Sequence, residues 1–582
     1  MHAKLRLPVG VLAAAALAAA LGLPSCNPGS ASLTSAPVTP LFGTVVPLTD
    51  ADVQVILARV LAATNRTDVH VGVVDRTGLA LGVLNTGAAF DSNDNIALSL
   101  ARTTAFFSNS QAPLSSRTVE TLGTFHFPPT FADTFEALAP AVAFTSPRRT
   151  TTGIAGTPQG PLWQINSTNR GANIATAATE PDTLFNISAQ FGNAVFFPSV
   201  NSVNVVGNAT PSPGITLLPG AVPLFKAAPG QTPRLVGGVG VFVRAGNANP
   251  DVALAEFLAV EGASGREART RGLLPNTPDF FLDILSEGAI TIAGILLPYI
   301  EQTTRPTGAS QGPPPGGGVA VTNGVGGQID PFNFLIGPRA ARYGVNQVDV
   351  AAVPGTVALT QADVTRIISQ VTASADRTRA QVRLPLGSAA KVIATVVDTR
   401  GLILAHFRME DTLCDAVDVV PAKARSVVYY CLPSALPTSA FANGDTWPGF
   451  PTGDPRGIAL STRTLGFLSQ PFYPPGIDEN PPGPLFALGN RNLEPQQIDR
   501  WGSAPPDPGY QNGLTFFPGS VPLYKNGQFV GALGVSGDGV EQNDLIAFEG
   551  GAGFAPPPEL LIDNFSFQGV RLPYLKFPQT PR

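Results

Sequence analysis

Residue types that commonly bind metals are scarce in this chain of 582 residues. It has four histidines and two methionines, and apart from Met1 and His2 at the start only His406 and Met409 lie near each other, with Arg408 between them. A lone His seldom marks a metal site without further ligands. A metal contact from this segment is one interpretation, and a His at a sheet edge beside a packing Met is the favoured alternative.

A glycine-rich turn is the second candidate site. The segment from Gly534 to Gly539 leads from a predicted strand into a predicted helix and includes Ser536 and Gly537. Backbone N–H groups at a helix start can bind a carboxylate or a phosphate. Asp538 lies within the turn and opposes an anion, so ordinary helix capping is favoured over an anion site.

The other reactive side chains give weaker signals. His70 alternates with valines in a predicted strand and His126 lies between two phenylalanines, so both are interpreted as structural. Cys414 and Cys431 flank a predicted helix that would hold them on the order of 20 Å apart. We expect no disulfide between them unless Pro421 breaks that helix. No pattern typical of a Ser, His and Asp hydrolase is evident.

Composition narrows the class of protein. With 44% hydrophobic and 13% charged residues, the chain has enough apolar surface to fold. A net charge of −5 gives no basic footprint, which argues against a nucleic-acid partner.

The first 26 residues resemble a bacterial lipoprotein signal. Lys4 and Arg6 precede an almost purely apolar run at 9–23, and a Leu-Pro-Ser-Cys sequence ends at Cys26. The resemblance predicts that Cys26 is acylated and anchors the chain to the cell envelope, and Asn27 favours the outer membrane. A secreted or periplasmic protein with an ordinary cleaved signal is the alternative. No later stretch reaches about 18 unbroken apolar residues, so none is expected to span a bilayer.

The elements that must position the candidate residues occur twice along the chain. Anchors recur in the same order, which indicates a duplication. The anchor pairs are 48–53 with 359–364, 73–75 with 396–398, 116–118 with 462–464, 219–226 with 518–525, and 297–299 with 572–574. The predicted organisation is a signal peptide at 1–26, a linker at 27–44, a first copy at 45–303, a Pro/Gly-rich linker at 304–345, and a second copy at 346–582.

Each copy has the pattern of an α+β domain. Apolar residues at helical spacing after Thr49 and Thr360 predict an opening helix with a capping box. A β-rich hairpin and a second helix follow, and Asn526-Gly527 predicts a later hairpin that precedes the last helix. Strands joined by tight turns favour an antiparallel sheet packed against helices. Each copy also carries a long loop-rich insertion.

These motifs resemble the GlcG/HbpS-type haem-binding family. The resemblance rests on Leu-Thr-x-Ala-Asp at both openings, Val-Val-Asp-x-x-Gly, an Ala-Arg pair in the second helix, and Val-Gly-Ala-x-Gly-Val-Ser-Gly at 530–537. Glu541 and Asp544 follow the last motif. The first copy departs from this closing motif at 236–243, where Phe242 replaces the Ser, and its site is interpreted as lost.

The resemblance implies an α+β fold that binds haem or a related small ligand, often as an oligomer and often without turnover. Haem iron usually takes His, Met, Cys or Tyr as an axial ligand, which places any haem site in the second copy. The candidate ligand-binding residues are His406, Arg408, Met409, Ser536 and Gly537, and no catalytic residue is assigned. The alternatives are a structural or interaction module without a ligand, and a weak haem-dependent redox enzyme.

Overall fold

A computed structural model describes residues 45–135, 149–165, 215–310, 319–322, 357–431, 457–486 and 515–576, with short gaps at 77, 79, 88–91, 164, 246–248, 273, 275, 283–289, 293, 303, 400 and 402. Helices and antiparallel sheets make up this part of the chain, which confirms the α+β prediction. Cys26 and the predicted signal peptide lie outside the described residues. No helix within the described ranges is both long enough and apolar enough to cross a bilayer.

The first copy contains these described elements. Its helices are α1 (Asp50–Ala62), α2 (Ser92–Phe107), α3 (Ser116–Leu122), α4 (Val252–Ser264) and α5 (Arg266–Thr270). Its strands are β1 (Val69–Asp75), β2 (Ala80–Asn85), β3 (Pro129–Phe135), β4 (Arg149–Gly153), β5 (Ala221–Lys226), β6 (Arg234–Ala245), β7 (Asn249–Pro250), β8 (Thr291–Ile292) and β9 (Ile295–Leu296).

The second copy repeats the order of the main elements. Between the copies lies β10 (Val319–Thr322). The helices of the second copy are α6 (Gln361–Arg377), α7 (Ala416–Cys431), α8 (Thr462–Leu468) and α9 (Val540–Gly550). Its strands are β11 (Val392–Val397), β12 (Ile403–Arg408), β13 (Ser520–Lys525), β14 (Gln528–Gly537), β15 (Ser566–Phe567) and β16 (Val570–Arg571).

The main sheets of the two copies have the same strand order. Hydrogen-bonded neighbours follow the order β2, β1, β6, β5 in the first copy and β12, β11, β14, β13 in the second, and β10 adds a further strand beside β2. The registers also agree, because His70 lies opposite Phe242 in one sheet and Ile393 lies opposite Ser536 in the other. Equivalent positions of the two copies can therefore be compared residue by residue.

Local sequence signals explain where several elements begin and turn. Thr49 and Thr360 cap α1 and α6 through complete capping boxes, as predicted. Asn526 and Gly527 have φ values of 52° and 74°, the positive values that a tight hairpin turn of this kind requires. These three features confirm the corresponding sequence predictions.

Two features differ from the sequence predictions. The sequence predicts that Pro421 either delays or kinks the second helix of the second copy, and the late start is wrong, because α7 begins at Ala416 and contains that proline. Cys414 and Cys431 are both buried and are not bonded to each other, as expected. The predicted linker is also partly structured, since β10 pairs with the edge strand β2.

Each main sheet lies between helices. In the first copy α2 packs against β1 and β6, while α4 packs against β5 and β6 and also contacts α1. In the second copy α7 packs against β11 and β14, while α9 packs against β13 and β14 and contacts α6. One large apolar cluster includes residues of both copies, such as Phe106 and Leu413. The two copies therefore share a core.

A buried group of charges also joins the copies, and we call it the ionic cluster. It consists of Arg76, Arg234, Arg383, Glu410, Asp411 and Asp538. Asp411 accepts from Arg76 of the first copy at 2.8 Å and from Arg383 of the second at 2.9 Å. It also accepts from the backbone N–H of Ser110 at 3.0 Å. Although burial raises the pKa of Asp411, the guanidinium groups of Arg76 and Arg383 hold it well below the usual range.

Candidate functional site

His406 lies on β12, the edge strand of the second sheet as predicted, and its side chain is buried there. It is 1% exposed, and its Nδ1 is 2.8 Å from Thr395 Oγ1 on the neighbouring strand. Burial, assisted by Arg408 and Arg425, lowers the pKa of His406 to about 3. The imidazole is therefore neutral at pH 7.

Met409 packs in a different environment from His406. Its side chain belongs to the apolar cluster that includes Ile367 and Ile546 of α6 and α9, whereas His406 is influenced by Arg425 of α7, on the opposite face of the sheet. Successive side chains of β12 point to opposite faces, and Met409, which directly follows the strand, packs in the same apolar cluster as Phe407. Arg408 is 1% exposed. The structure does not bring His406 and Met409 together.

Ser536 and Gly537, by contrast, line a cavity of about 60 Å³ between the two copies. We call it the Lys423 cavity. Its polar lining includes Asp415, Lys423, Ser536 and Asn543, all from the second copy. Its apolar wall includes Phe107, Leu114, Leu122, Leu162, Ile165 and Ile292 of the first copy. Polar groups of one copy thus face an apolar surface of the other.

Lys423 is the most unusual residue of this cavity. It is 1% exposed, and its Nζ lies 2.9 Å from Pro518 O, 3.1 Å from Val535 O and 3.0 Å from Ser536 Oγ. Burial lowers its pKa to about 7, although the carboxylates of Asp415 and Asp544 oppose that shift. The amine is therefore present in both its charged and neutral forms near pH 7.

Asn543 is the second unusual residue. It is 2% exposed, and its Oδ1 has no hydrogen-bond partner among the described residues. Native proteins leave few buried polar atoms unpaired, and each one costs about 1–3 kcal/mol. An unpaired acceptor beside a cavity indicates space for a molecule that donates a hydrogen bond.

The turn that leads into α9 is not capped as the sequence predicted. Gly539 is the N-cap residue and offers no side-chain cap. Asp538 instead accepts from the guanidinium of Arg383 and from the backbone N–H of Lys391. The capping interpretation of Asp538 is therefore wrong, because a buried arginine from a distant segment competes for its carboxylate.

The equivalent place in the first copy is filled by apolar side chains. Phe242 occupies the position in β6 that Ser536 occupies in β14. A Cβ on Gly519 would meet Asn543 and Lys423, whereas a Cβ on its counterpart Gly220 would meet Ala255 and Leu100. Leu100 and Phe242 belong to one buried apolar cluster. The first copy thus has Leu, Phe and Ala where the second has Lys, Ser and Asn.

Sequence reasoning missed Lys423 and Asn543. The available signal was a lysine on the apolar stripe of a helix, three residues after Val420 and four before Val427. Only the packing of α7 against β14 brings Ser536 within reach of that lysine.

The other predicted structural residues have local partners. His70 is buried, and its Nδ1 is 2.8 Å from Asp94 Oδ1. His126 Nδ1 lies 3.1 Å from Thr157 O. Among the described residues, no group of three or more His, Cys, Asp or Glu side chains is arranged to hold a metal ion.

Comparison with known proteins finds a family match for the second copy. A family model described as haem degrading protein, HbpS-like, matches residues 359–552. A search of curated proteins finds no match.

Solved structures similar to this chain include three proteins. A complex of PduOC with heme is 21% identical, with 34% of this chain and 94% of that chain covered at a TM-score of 0.20. Protein ORFY of Klebsiella pneumoniae is 20% identical, with 34% and 92% covered at a TM-score of 0.21. A double mutant of HbpS from Streptomyces reticuli is 16% identical, with 36% and 94% covered at a TM-score of 0.20. The family match, together with the closing motif and the strand order, shows that residues 359–552 of the second copy belong to the HbpS-like family.

Proposed function

We propose that the second copy binds a small polar ligand in the Lys423 cavity. The observation that carries this proposal is the contrast between the copies, in which Lys423, Ser536 and Asn543 replace Leu100, Phe242 and Ala255 at equivalent positions. A core without a ligand gains stability from apolar residues at such positions, as in the first copy. Three polar residues, one with an unpaired oxygen, are better explained by a bound partner.

The size of the cavity limits the ligand. A volume of about 60 Å³ is several times the ~10–15 Å³ that holds one water molecule, so it accommodates a few waters or a molecule of a few heavy atoms. Typical sites for larger ligands measure about 300–1,000 Å³. The ligand that fits this structure is therefore small and carries a donor for Asn543 Oδ1, since Lys423 Nζ already donates to three protein oxygens.

Haem is the ligand that the family description suggests, and the described residues do not fit it at the positions that the sequence indicated. His406 is enclosed in the sheet, and Met409 packs in a separate apolar core. The Lys423 cavity, which Ser536 and Gly537 line, is far too small for a porphyrin. We therefore assign no haem ligand among His406, Arg408 and Met409.

The first copy has a supporting role in this proposal. Its side chains form the apolar wall of the cavity, and the ionic cluster fixes its position against the second copy. The repeated strand order and anchors support an origin by tandem duplication in which one copy lost its site. We further propose attachment to the cell envelope through Cys26, with the outer membrane favoured, and assembly as a homo-oligomer.

Lysine labelling tests the proposed site directly. The chain has only six lysines, so labelled peptides can be assigned by mass spectrometry. We expect formaldehyde with a mild reductant at pH 7.5 to dimethylate Lys423, because a small reagent reaches the cavity and part of the amine is neutral. Ser536→Phe should lower that labelling by about tenfold or more, since a close-packed interior excludes the reagent.

Ser536→Ala is the matched control, because it removes the hydroxyl without filling the cavity. It should leave Lys423 reactive. Labelling of Lys576 without labelling of Lys423, or equal labelling of Lys423 in the Ser536→Phe variant, would contradict the proposal.

A hemin titration tests the exclusion of His406. We expect wild type and His406→Ala to give the same Soret spectrum at micromolar hemin, because the His406 side chain is enclosed and its Nδ1 is engaged with Thr395. A saturable Soret shift in wild type that disappears in His406→Ala would show that the imidazole ligates haem, and the present assignment would fail.

A further inference from the structure

We propose that Ser536 and Lys423 form a nucleophile and general-base pair that takes up the acyl group of a small carboxylic ester. The inference rests on the proposed function, because the acyl group would occupy the Lys423 cavity. It goes further by assigning a reaction class to a site for which binding alone has been argued.

Lys423 Nζ donates hydrogen bonds to Pro518 O, Val535 O and Ser536 Oγ, and the loss of one proton leaves a neutral amine in the same position. Such an amine has two N–H bonds and one lone pair. The carbonyl oxygens of Pro518 and Val535, at 2.9 and 3.1 Å, can accept the two N–H bonds. The lone pair then faces Ser536 Oγ at 3.0 Å and can accept the hydroxyl proton. This distance is within the range required between a nucleophile and its base.

The surroundings of Lys423 make the neutral form accessible. The amine is almost completely buried, and burial disfavours the ammonium form. The charged groups that act on it are the carboxylates of Asp415 and Asp544, which favour the ammonium form. The balance lowers the pKa to about 7, which suits a general base at neutral pH.

Asn543 supplies a third element of the site. It lines the same cavity as Ser536, and its side-chain oxygen has no partner among the described residues. For the acyl step the side-chain amide has to turn by a half turn, so that its NH₂ group, and not the oxygen that accepts from the ligand of the proposed function, faces the cavity. Asparagine side chains serve as oxyanion donors in acyl transfer. We assign Asn543 to stabilise the oxygen of the tetrahedral intermediate.

The chemical step balances with water as the second substrate. Ser536 Oγ forms a bond to the ester carbonyl carbon, and its proton passes to Lys423 Nζ. The bond from that carbon to the alcohol oxygen then breaks, and the ammonium returns the proton to the leaving alcohol. Water, with Lys423 again as base, hydrolyses the acyl-serine to a carboxylic acid and free Ser536.

The first copy provides an internal comparison. It has Leu100 and Phe242 in place of Lys423 and Ser536, and both are buried in an apolar cluster. Leucine is therefore a residue that this position of the fold tolerates. Lys423→Leu is the appropriate variant to remove the base while keeping the helix packed.

The test uses p-nitrophenyl acetate with the full chain. We expect an initial burst of nitrophenol and an acetyl group on the peptide that contains Ser536. Lys423→Leu should slow the burst by about 100-fold, the lower range for loss of a general base. The burst rate in wild type should rise with pH through about 7, as the amine loses its proton. Ser536→Ala should abolish the modification, and Ser520→Ala, which changes a buried serine bonded to Leu533 O, should not.

Three results would overturn the inference: no acetyl on Ser536, acetyl on Lys423 itself, or an unchanged rate in Lys423→Leu. Formaldehyde labelling of Lys423 separates this failure from a failure of the proposed function. If Lys423 is dimethylated while Ser536 is never acetylated, the cavity is an accessible site and only the acyl chemistry is wrong.

Discussion

Replacing Asp411 by Asn is expected to lower the free energy of unfolding by about 3–5 kcal/mol, the usual penalty for breaking a buried ion pair. Asp411 is fully buried and accepts from Arg76 and Arg383, which belong to different copies. Without its charge, the guanidinium groups of the ionic cluster lose a central counterion in a medium of low polarity. Chemical denaturation monitored by tryptophan fluorescence measures the change.

The substitution is close to isosteric, so the effect reports charge rather than shape. Asp411 has a φ of 57°, a conformation in which Asn is also tolerated. Asp563→Asn is the control, because its partner Arg571 is 74% exposed and such pairs contribute about 0–1 kcal/mol. A loss below about 1 kcal/mol for Asp411→Asn would show that the ionic cluster does not hold the copies together.

The stability of the wild-type protein should rise with pH between about 7.5 and 9 relative to that of Lys423→Leu. Lys423 has a pKa of about 7 in the folded chain and an ordinary value of 10.5. Between those values the unfolded chain binds a proton that the folded chain does not, so unfolding becomes less favourable as pH rises. The difference in unfolding free energy between the two proteins should change by up to about 1.4 kcal/mol per pH unit.

The comparison with Lys423→Leu removes the titrations that both proteins share. One of them is the titration of Cys431. Burial raises the pKa of this thiol to about 12, so its titration lowers the stability of the folded chain as the pH rises further. Unfolding free energies of both proteins at several pH values provide the measurement. A constant difference across this window would mean that Lys423 remains protonated in the folded chain.

Much of the fold could be predicted because its signals are local. A Thr followed by Asp three residues later specifies the start of α1 and α6, and Asn526-Gly527 specifies a turn that few other dipeptides form. The start of α7 could not be predicted in this way, because a proline in a helix is disfavoured locally and tolerated only through packing.

The site could be predicted only in part. The motif around Ser536 and the departure at Phe242 were visible in the sequence. The structure places these two residues at equivalent positions of the two sheets. The pairing of Lys423 with Ser536 depends on a contact between residues 113 positions apart. A lysine is normally solvated, so its type gives no indication that it is buried. His406 and Met409 are neighbours in sequence but lie in different cores, because a strand alternates its side chains.

A crystal structure of the full chain at about 1.5 Å resolution would show whether the Lys423 cavity is occupied, since ordered waters in polar cavities are visible at that level. We expect non-protein density within hydrogen-bonding distance of Asn543 Oδ1 in the second copy. We also expect the ring of Phe242 in the equivalent space of the first copy. A second copy in which protein groups satisfy Asn543 Oδ1 and fill the Lys423 cavity would contradict the proposed function.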